Sequence, residues 1–197
     1  SKAGFVKVLS NQKILAAGAA NFLNSMLYTA LVTFFPLYGL HVGLDESSVG
    51  FAFTMRGISS TVIRFPTGVL SKTVGVLRLM TVGIVMSALA YLIIASFSSF
   101  IVVSILLGIM GIAYGIYYTA GNSFATEESP SEVRGAAMGV YSTFSNVSGV
   151  ISPLILGIIA DRIGLEGVFQ FSGALTLVGL TIVLALGRRG SSGKHVI

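Results

Sequence analysis

The sequence holds no cysteine in its 197 residues, which excludes disulfides, thiolate metal sites and cysteine nucleophiles. Charge is scarce as well: Asp, Glu, Lys and Arg make up 10% of the chain, against about 25% in an ordinary soluble domain. That is too little to coat a globule in water. There are only two histidines, His41 at a turn and His195 in the terminal segment, and both sit outside the apolar runs. Neither reads as a buried ligand or proton relay. No Asp or Glu falls in the interior of an apolar run, so a carboxylate proton carrier is not expected here, and any proton coupling would use residues elsewhere. Walker loops, metal-spaced histidine pairs and nucleophile constellations are missing too, so an ATP-driven pump or a membrane enzyme has no support. No cofactor and no metal are expected.

What the chain does have is apolar length. Hydrophobic residues make up 54%, mean hydropathy is +0.91, and several runs reach the roughly 20 residues needed to cross a 30 Å hydrocarbon core. The expectation is an all-α polytopic membrane bundle of six transmembrane helices, near 13–40, 46–70, 79–97, 101–124, 134–164 and 168–186. Residues 1–12 alternate cations with apolar side chains and read as an interfacial segment or a linker end, without the small-residue cleavage pattern of a signal peptide. Residues 13–187 form the membrane domain and 188–197 a basic tail. The first residue is not methionine, which leads to the expectation of a fragment. Asp45 or Ser47 should cap the second helix, and Pro66 should bend or end it.

The net charge of +5 does not point to nucleic acid, because the basic residues flank spans. With a cytoplasmic N-terminus, one side collects Lys2, Lys7, Lys13, Lys72, Arg78, Arg134, Arg188, Arg189 and Lys194, while Arg162 remains on the other beside Asp45, Glu46, Asp161 and Glu166. This bias places both termini inside a plasma or inner cell membrane.

Polar residues within the spans recur at helical spacing. In the first span Asn21, Asn24 and Tyr28 share a face. In the second, Arg56, Ser60 and Arg64 form a stripe, and each buried arginine costs about 2.5 to 3.5 kcal/mol on insertion scales. Either arginine can bind an anion or pair with an acid in a missing half; the alternative is a long stem that snorkels to the surface. The third span is nearly all apolar, with Ser87 its one notable interior polar residue. The fourth carries Tyr114, Tyr117 and Tyr118, which cannot all share a face, so at most two line a cavity. In the fifth, Ser142, Asn146, Gly149 and Pro153 lie on one face, as a cavity wall or a helix contact. Asp161 and Arg162 read as a helix-end cap and surface pair.

The six spans divide into two sets of three, about 13–97 and 101–187. Gly68, Lys72 and Gly75 at the end of the second span recur as Gly157, Asp161 and Gly164 at the end of the fifth, each offset by 89 positions. Three helices are an odd number, so the second set enters the membrane from the opposite side, the inverted repeat of a secondary transporter.

The basic-flanked turn from Gly68 to Arg78, the loop E-x-S-P-x-E-x-R-G ending at Arg134 and Gly135, and the stretch from Gly149 through Pro153 to Gly164 resemble the C-terminal six-helix half of a major facilitator superfamily transporter. Gly68, Leu70, Gly75 and Arg78 fit the family's turn, with Lys72 where the family has an acid, and Ser152 precedes Pro153 in place of a glycine. The resemblance implies that the first helix of each triplet lines a central cavity, the second flanks it and meets the other half, and the third faces lipid. It implies alternating access of a small solute around a midplane site, with Asn21, Asn24, Tyr28, Arg56, Ser60, Arg64, Tyr114, Tyr118 and Asn146 as candidate substrate contacts. The cationic stripe favours an organic or phosphorylated anion, and the aromatic lining also suits an amphiphilic drug. The expected partners are the amino-terminal half of the same transporter or a second copy, the substrate and the bilayer. Two rivals are a stand-alone six-helix subunit that dimerises and a non-transporting membrane scaffold.

Overall fold

The computed structural model describes residues 8–127, 129 and 131–189, with the backbone alone at 182, 183 and 185–189. The basic tail beyond 189, residues 1–7 of the expected interfacial segment, and Glu128 and Pro130 of the loop motif lie outside the described residues. Among the described residues there are helices and turns and no strand.

Helix α1 spans Gln12–His41 and starts at Asn11, whose side chain accepts the Lys13 amide. Helix α2 spans Glu46–Val74; of the two expected caps Asp45 is the one used, accepting the Ser48 amide at 2.9 Å. Helix α3 spans Val76–Ile94, α4 spans Phe100–Glu127, and a 3-10 turn at Ser131–Val133 leads into α5, Arg134–Arg189. α5 is continuous in hydrogen bonding but breaks at Gly164, where φ is 79° and ψ 177°. It therefore has two arms, 134–163 and 165–189.

Two expectations change. Pro66 neither ends α2 nor marks its boundary, since the helix runs two further turns to Val74. The link between the second and third helices is a single residue, Gly75, at φ 93° and ψ 138°. Gly75 and Gly164 both adopt positive φ with extended ψ, a backbone region essentially reserved for glycine. They are the two positions matched by the 89-residue offset.

Among the described residues, four segments are long and apolar enough to cross a membrane: Gln12–His41, Val76–Ile94, Phe100–Glu127 and Ser131–Thr181. α2, at 29 residues, has the length but not the apolarity, because its two arginines and its run of Ser, Thr and Gly dilute it. Large apolar side chains nevertheless point outward along it, Phe65 at 82% exposure and Val62 at 67%. An outward apolar surface is what lipid requires.

Lipid tails are as apolar as leucine, so packing and interhelical hydrogen bonds, rather than water exclusion, hold such helices together. α1 lies along the first arm of α5, joined by Asn21 to the Tyr141 carbonyl at 3.0 Å, Ser148 to the Phe22 carbonyl at 2.9 Å and Ser25 to the Ser145 carbonyl at 3.3 Å. α2 lies along α4 by a different device. Gly111 abuts the bare Arg56 backbone, and Gly115 lies against the Ser60 carbonyl and the Ile63 side chain. α3 packs on α4 at Gly83 and on the second arm of α5 at Gly173. α3 is thus buried along one face by two neighbours rather than turned wholly to lipid.

The core of the described residues gathers in three apolar clusters, a small one at Val8, Ile14, Ala137 and Val140 and two larger ones stacked along the bundle. One gathers Phe35, Tyr38, Tyr91, Ile94, Leu107 and Phe169; the other gathers Ala20, Leu79, Ile84, Tyr117 and Ala120. On α1 they part between Leu23 and Met26, on α3 between Ile84 and Ala90, on α4 between Met110 and Tyr117. A layer of polar side chains fills that gap.

Candidate functional site

The layer is reached from α2. Because Gly111 has no side chain, the Arg56 backbone presses onto α4, and the arginine side chain emerges beside Tyr114, three residues along. Its guanidinium carbon lies 5.0 Å from the Tyr28 ring centre and 4.9 Å from that of Tyr114. Those two rings stack at 5.6 Å with 27° between planes. Tyr114 in turn stacks on Tyr118 at 5.8 Å and 24°, and Arg64 sits over Tyr118 with its guanidinium carbon 4.6 Å from the ring centre. Three tyrosines from α1 and α4 thus form one track carrying both arginines of α2. Each cation–π contact is worth about 0.5 to 2 kcal/mol, depending on desolvation.

Asn24, Tyr28, Arg56, Ser87, Tyr91 and Tyr114 line a small water-sized cavity, closed by Leu27 and Met110. Tyr91 is already engaged, donating its hydroxyl to the Leu27 carbonyl. Arg56 is not. Its Nε is buried without a hydrogen-bond partner, as is the Ser60 hydroxyl one turn on, and among the described residues no carboxylate pairs with Arg56 or Arg64. A guanidinium held over aromatic rings, with its buried Nε–H unmatched and no carboxylate of the described residues beside it, is arranged to accept an anion.

The structure therefore brings Asn24, Tyr28, Arg56, Arg64, Tyr114 and Tyr118 together. Ser60 lies buried in the α2–α4 seam. Asn21 is elsewhere: its amide nitrogen donates to the Tyr141 carbonyl and its oxygen accepts from Tyr117 at 3.4 Å, while Tyr117 also meets the Tyr141 hydroxyl at 3.2 Å. This buried hub joins three helices and turns the Asn21 amide toward Tyr117 and Tyr141. Asn146 is exposed on the first arm of α5, away from the cavity. Lys72, Arg78, Arg134 and Asp161 are exposed at helix ends, and Gly68, Gly135, Gly149 and Gly157 have open space where a side chain would stand. Pro153 is half-buried inside the first arm. Asp161 and Arg162 are both exposed and form no ion pair, and the helix continues past them to Gly164.

Sequence reasoning did not assign Ser87 and Tyr91 to the site. A lone serine in an apolar span was visible, but only packing of α3 against α4 turns Ser87 inward, where it is 3% exposed. Tyr91 carried no signal of its own.

The family model described as Major Facilitator Superfamily matches residues 17–196. An uncharacterized MFS-type transporter of Methanocaldococcus jannaschii is 24% identical over 170 residues, covering 86% of this chain and 44% of the relative. A probable galactarate/D-glucarate transporter of Bacillus subtilis is 25% identical over 202 residues, covering 94% of this chain and 42% of the relative. A solved structure from work on substrate recognition in proton dependent oligopeptide transporters superposes with a TM-score of 0.69 at 17% identity, over 88% of this chain and 40% of that one. The chain spans less than half the length of these relatives.

Proposed function

The chain belongs to the Major Facilitator Superfamily, and from that membership we propose that it is the C-terminal six-helix half of a multi-pass secondary transporter that moves a small organic anion by alternating access. The observation that carries the anion is Arg56, half-buried over Tyr28 and Tyr114 with an unpartnered Nε and no carboxylate beside it. A permanent cation in that position is costly until an anion arrives. The Bacillus subtilis relative is described as a probable transporter of galactarate and D-glucarate, which are organic anions, and this supports the same class.

The half-transporter reading is supported by the coverage of about two fifths of each relative. The inverted repeat is supported by two observations. Gly75 and Gly164, matched by offset, share the same rare backbone. The packing also survives exchange of the two triplets: first helix on fifth becomes fourth on second, and third on fourth becomes sixth on first. Gly179 of the second arm against Leu23 of α1 supplies that last contact. On this reading the two arms of α5 are separate spans, α2 crosses despite its arginines, and both termini are cytoplasmic. The other half, or a second copy, covers the open faces of α2 and of the first arm of α5.

The test is uptake of labelled organic anions into proteoliposomes by the complete transporter, with and without Arg56→Gln. Loss of about tenfold or more in uptake is expected, since a charge-assisted contact of that size is worth at least 1.4 kcal/mol. Unchanged uptake would remove the anion reading. The second reading, an amphiphilic drug, rests on the exposed ring faces of Tyr28 and Tyr118, at 40% and 44%. It predicts drug transport that survives Arg56→Gln and fails with Tyr28→Ala. If neither anion nor drug moves, a scaffold role takes precedence.

A further inference from the structure

The second arginine asks for more than one negative charge. Arg64 follows Arg56 by eight residues, about 12 Å along the axis of α2. Yet the two guanidinium groups are not separate surface features, because the same track of stacked rings links them: Arg56 over Tyr114, Tyr114 on Tyr118, Tyr118 under Arg64. Tyr118 and Arg64 are exposed along this track and Tyr114 and Arg56 are half-buried. Neither arginine has an acidic partner among the described residues, and no other cation of the described chain touches the rings.

We infer that this site, on the reading above that it binds an organic anion, selects dianions whose two charged ends bridge Arg56 and Arg64, with the connecting carbon chain lying across Tyr114 and Tyr118. The Tyr114 and Tyr118 ring centres between them are 5.8 Å apart, close to the length of an extended diacid of about six carbons, so such a chain can bring one carboxylate to each guanidinium. Shorter diacids reach one arginine at a time. Longer ones must buckle away from the rings. The outward edges of the stacked rings, Tyr118 being 44% exposed, give the CH groups of the chain a surface to pack on and no charge to repel either end. Arg56 in the enclosed cavity is the end that every anion uses, and Arg64 on the open side adds the second contact. A dianion therefore lies lengthwise along α2, with one end deep and one end accessible.

Competition with a labelled anion by the purified complete transporter distinguishes the outcomes, using adipate against hexanoate as probes of equal length and succinate and suberate to vary the span. Adipate should compete at about a tenfold lower concentration than hexanoate, the factor expected of one additional charge-assisted contact. Arg64→Gln should bring the two within about twofold by weakening adipate more than hexanoate, and Arg64→Lys should restore part of the preference. Arg56→Gln should remove both. An adipate preference that persists in Arg64→Gln overturns the two-ended site while leaving anion transport standing. So does a wild-type protein that binds two hexanoates as well as one adipate. If Arg56→Gln binds both acids as wild type does, anion binding at this site fails and the two-ended site with it. Elution of each variant as a monodisperse species in detergent separates loss of a contact from loss of the fold.

Discussion

The seam between α1 and the first arm of α5 and the seam between α2 and α4 each join two long helices, and they do so by opposite means. The first is a ladder of side chains donating to carbonyls of the facing helix, from Asn21, Ser25 and Ser148. The second has glycines that let bare backbone meet backbone, at Gly111 and Gly115. In the hydrogen-bonded seam the polar atoms satisfy one another. In the glycine seam they are left over, Arg56 Nε and the Ser60 hydroxyl among them. A seam that needs no polar groups for its own cohesion has them available for a ligand, and Arg56 reaches the cavity from it.

That contrast can be broken from either side. The largest effect should come from Gly111→Val, whose side chain would overlap the Arg56 carbonyl. Overpacking of this kind costs about 1 to 3 kcal/mol, and here it also moves the arginine. Thermal unfolding in detergent should fall steeply and anion competition should be lost together with it. Next is Tyr114→Leu, which keeps the apolar volume but removes the ring shared by Arg56, Tyr28 and Tyr118. Cation–π contacts of 0.5 to 2 kcal/mol translate to roughly two- to thirtyfold weaker anion binding, with little change in unfolding temperature.

In the other seam, Tyr117→Phe deletes the hydroxyl that meets both Asn21 and Tyr141. The expected loss is about 0.6 to 1.7 kcal/mol of stability, the measured range for interhelical hydrogen bonds in membranes, with anion affinity unchanged because the hub does not reach the cavity. A Tyr117→Phe variant that loses anion binding at full stability would sink the separation of the two seams.

The smallest effect lies outside the membrane. The Ser48 hydrogen bonds hold the Asp45 carboxyl below its usual value of 3.8. A lowered folded pKa means that the cap's contribution is present above the unfolded pKa and is lost as pH falls through the folded one. Wild type should therefore lose slightly more unfolding temperature between pH 6 and pH 3 than Asp45→Asn, which retains an acceptor for the Ser48 amide without the titration. Equal slopes would show that the cap does not depend on ionisation.

Much of the architecture was legible because lipid imposes simple rules on sequence. Spans are long and apolar, and Gly75 and Gly164 stand out as paired breaks at one offset. Arg56 and Arg64 were legible too, since an arginine in a span is costly wherever it points. Of the two outcomes expected at Pro66, an end to the helix does not occur, because the flanking turns carry it past one missing donor. Asn21 misled: at helical spacing from Asn24 and Tyr28 it looks the same as they do, and only its neighbours Tyr117 and Tyr141 reveal that it is occupied.

By itself, then, the sequence determined that the chain is a membrane helix bundle, where its helices break, and that cations without matching acids lie inside it. Periodicity and hydropathy are properties of one helix and its solvent, and they need no partner to be read. Only the tertiary structure decided which polar groups are already satisfied across a seam and which remain open. It placed Ser87 and Tyr91 in the cavity, closed Asn21 into a hub, and laid both arginines on one track of tyrosines. Satisfaction of a polar group depends on what the neighbouring helix brings within hydrogen-bond or ring-stacking distance, and that is set by the register of packing rather than by the spacing of residues along the chain.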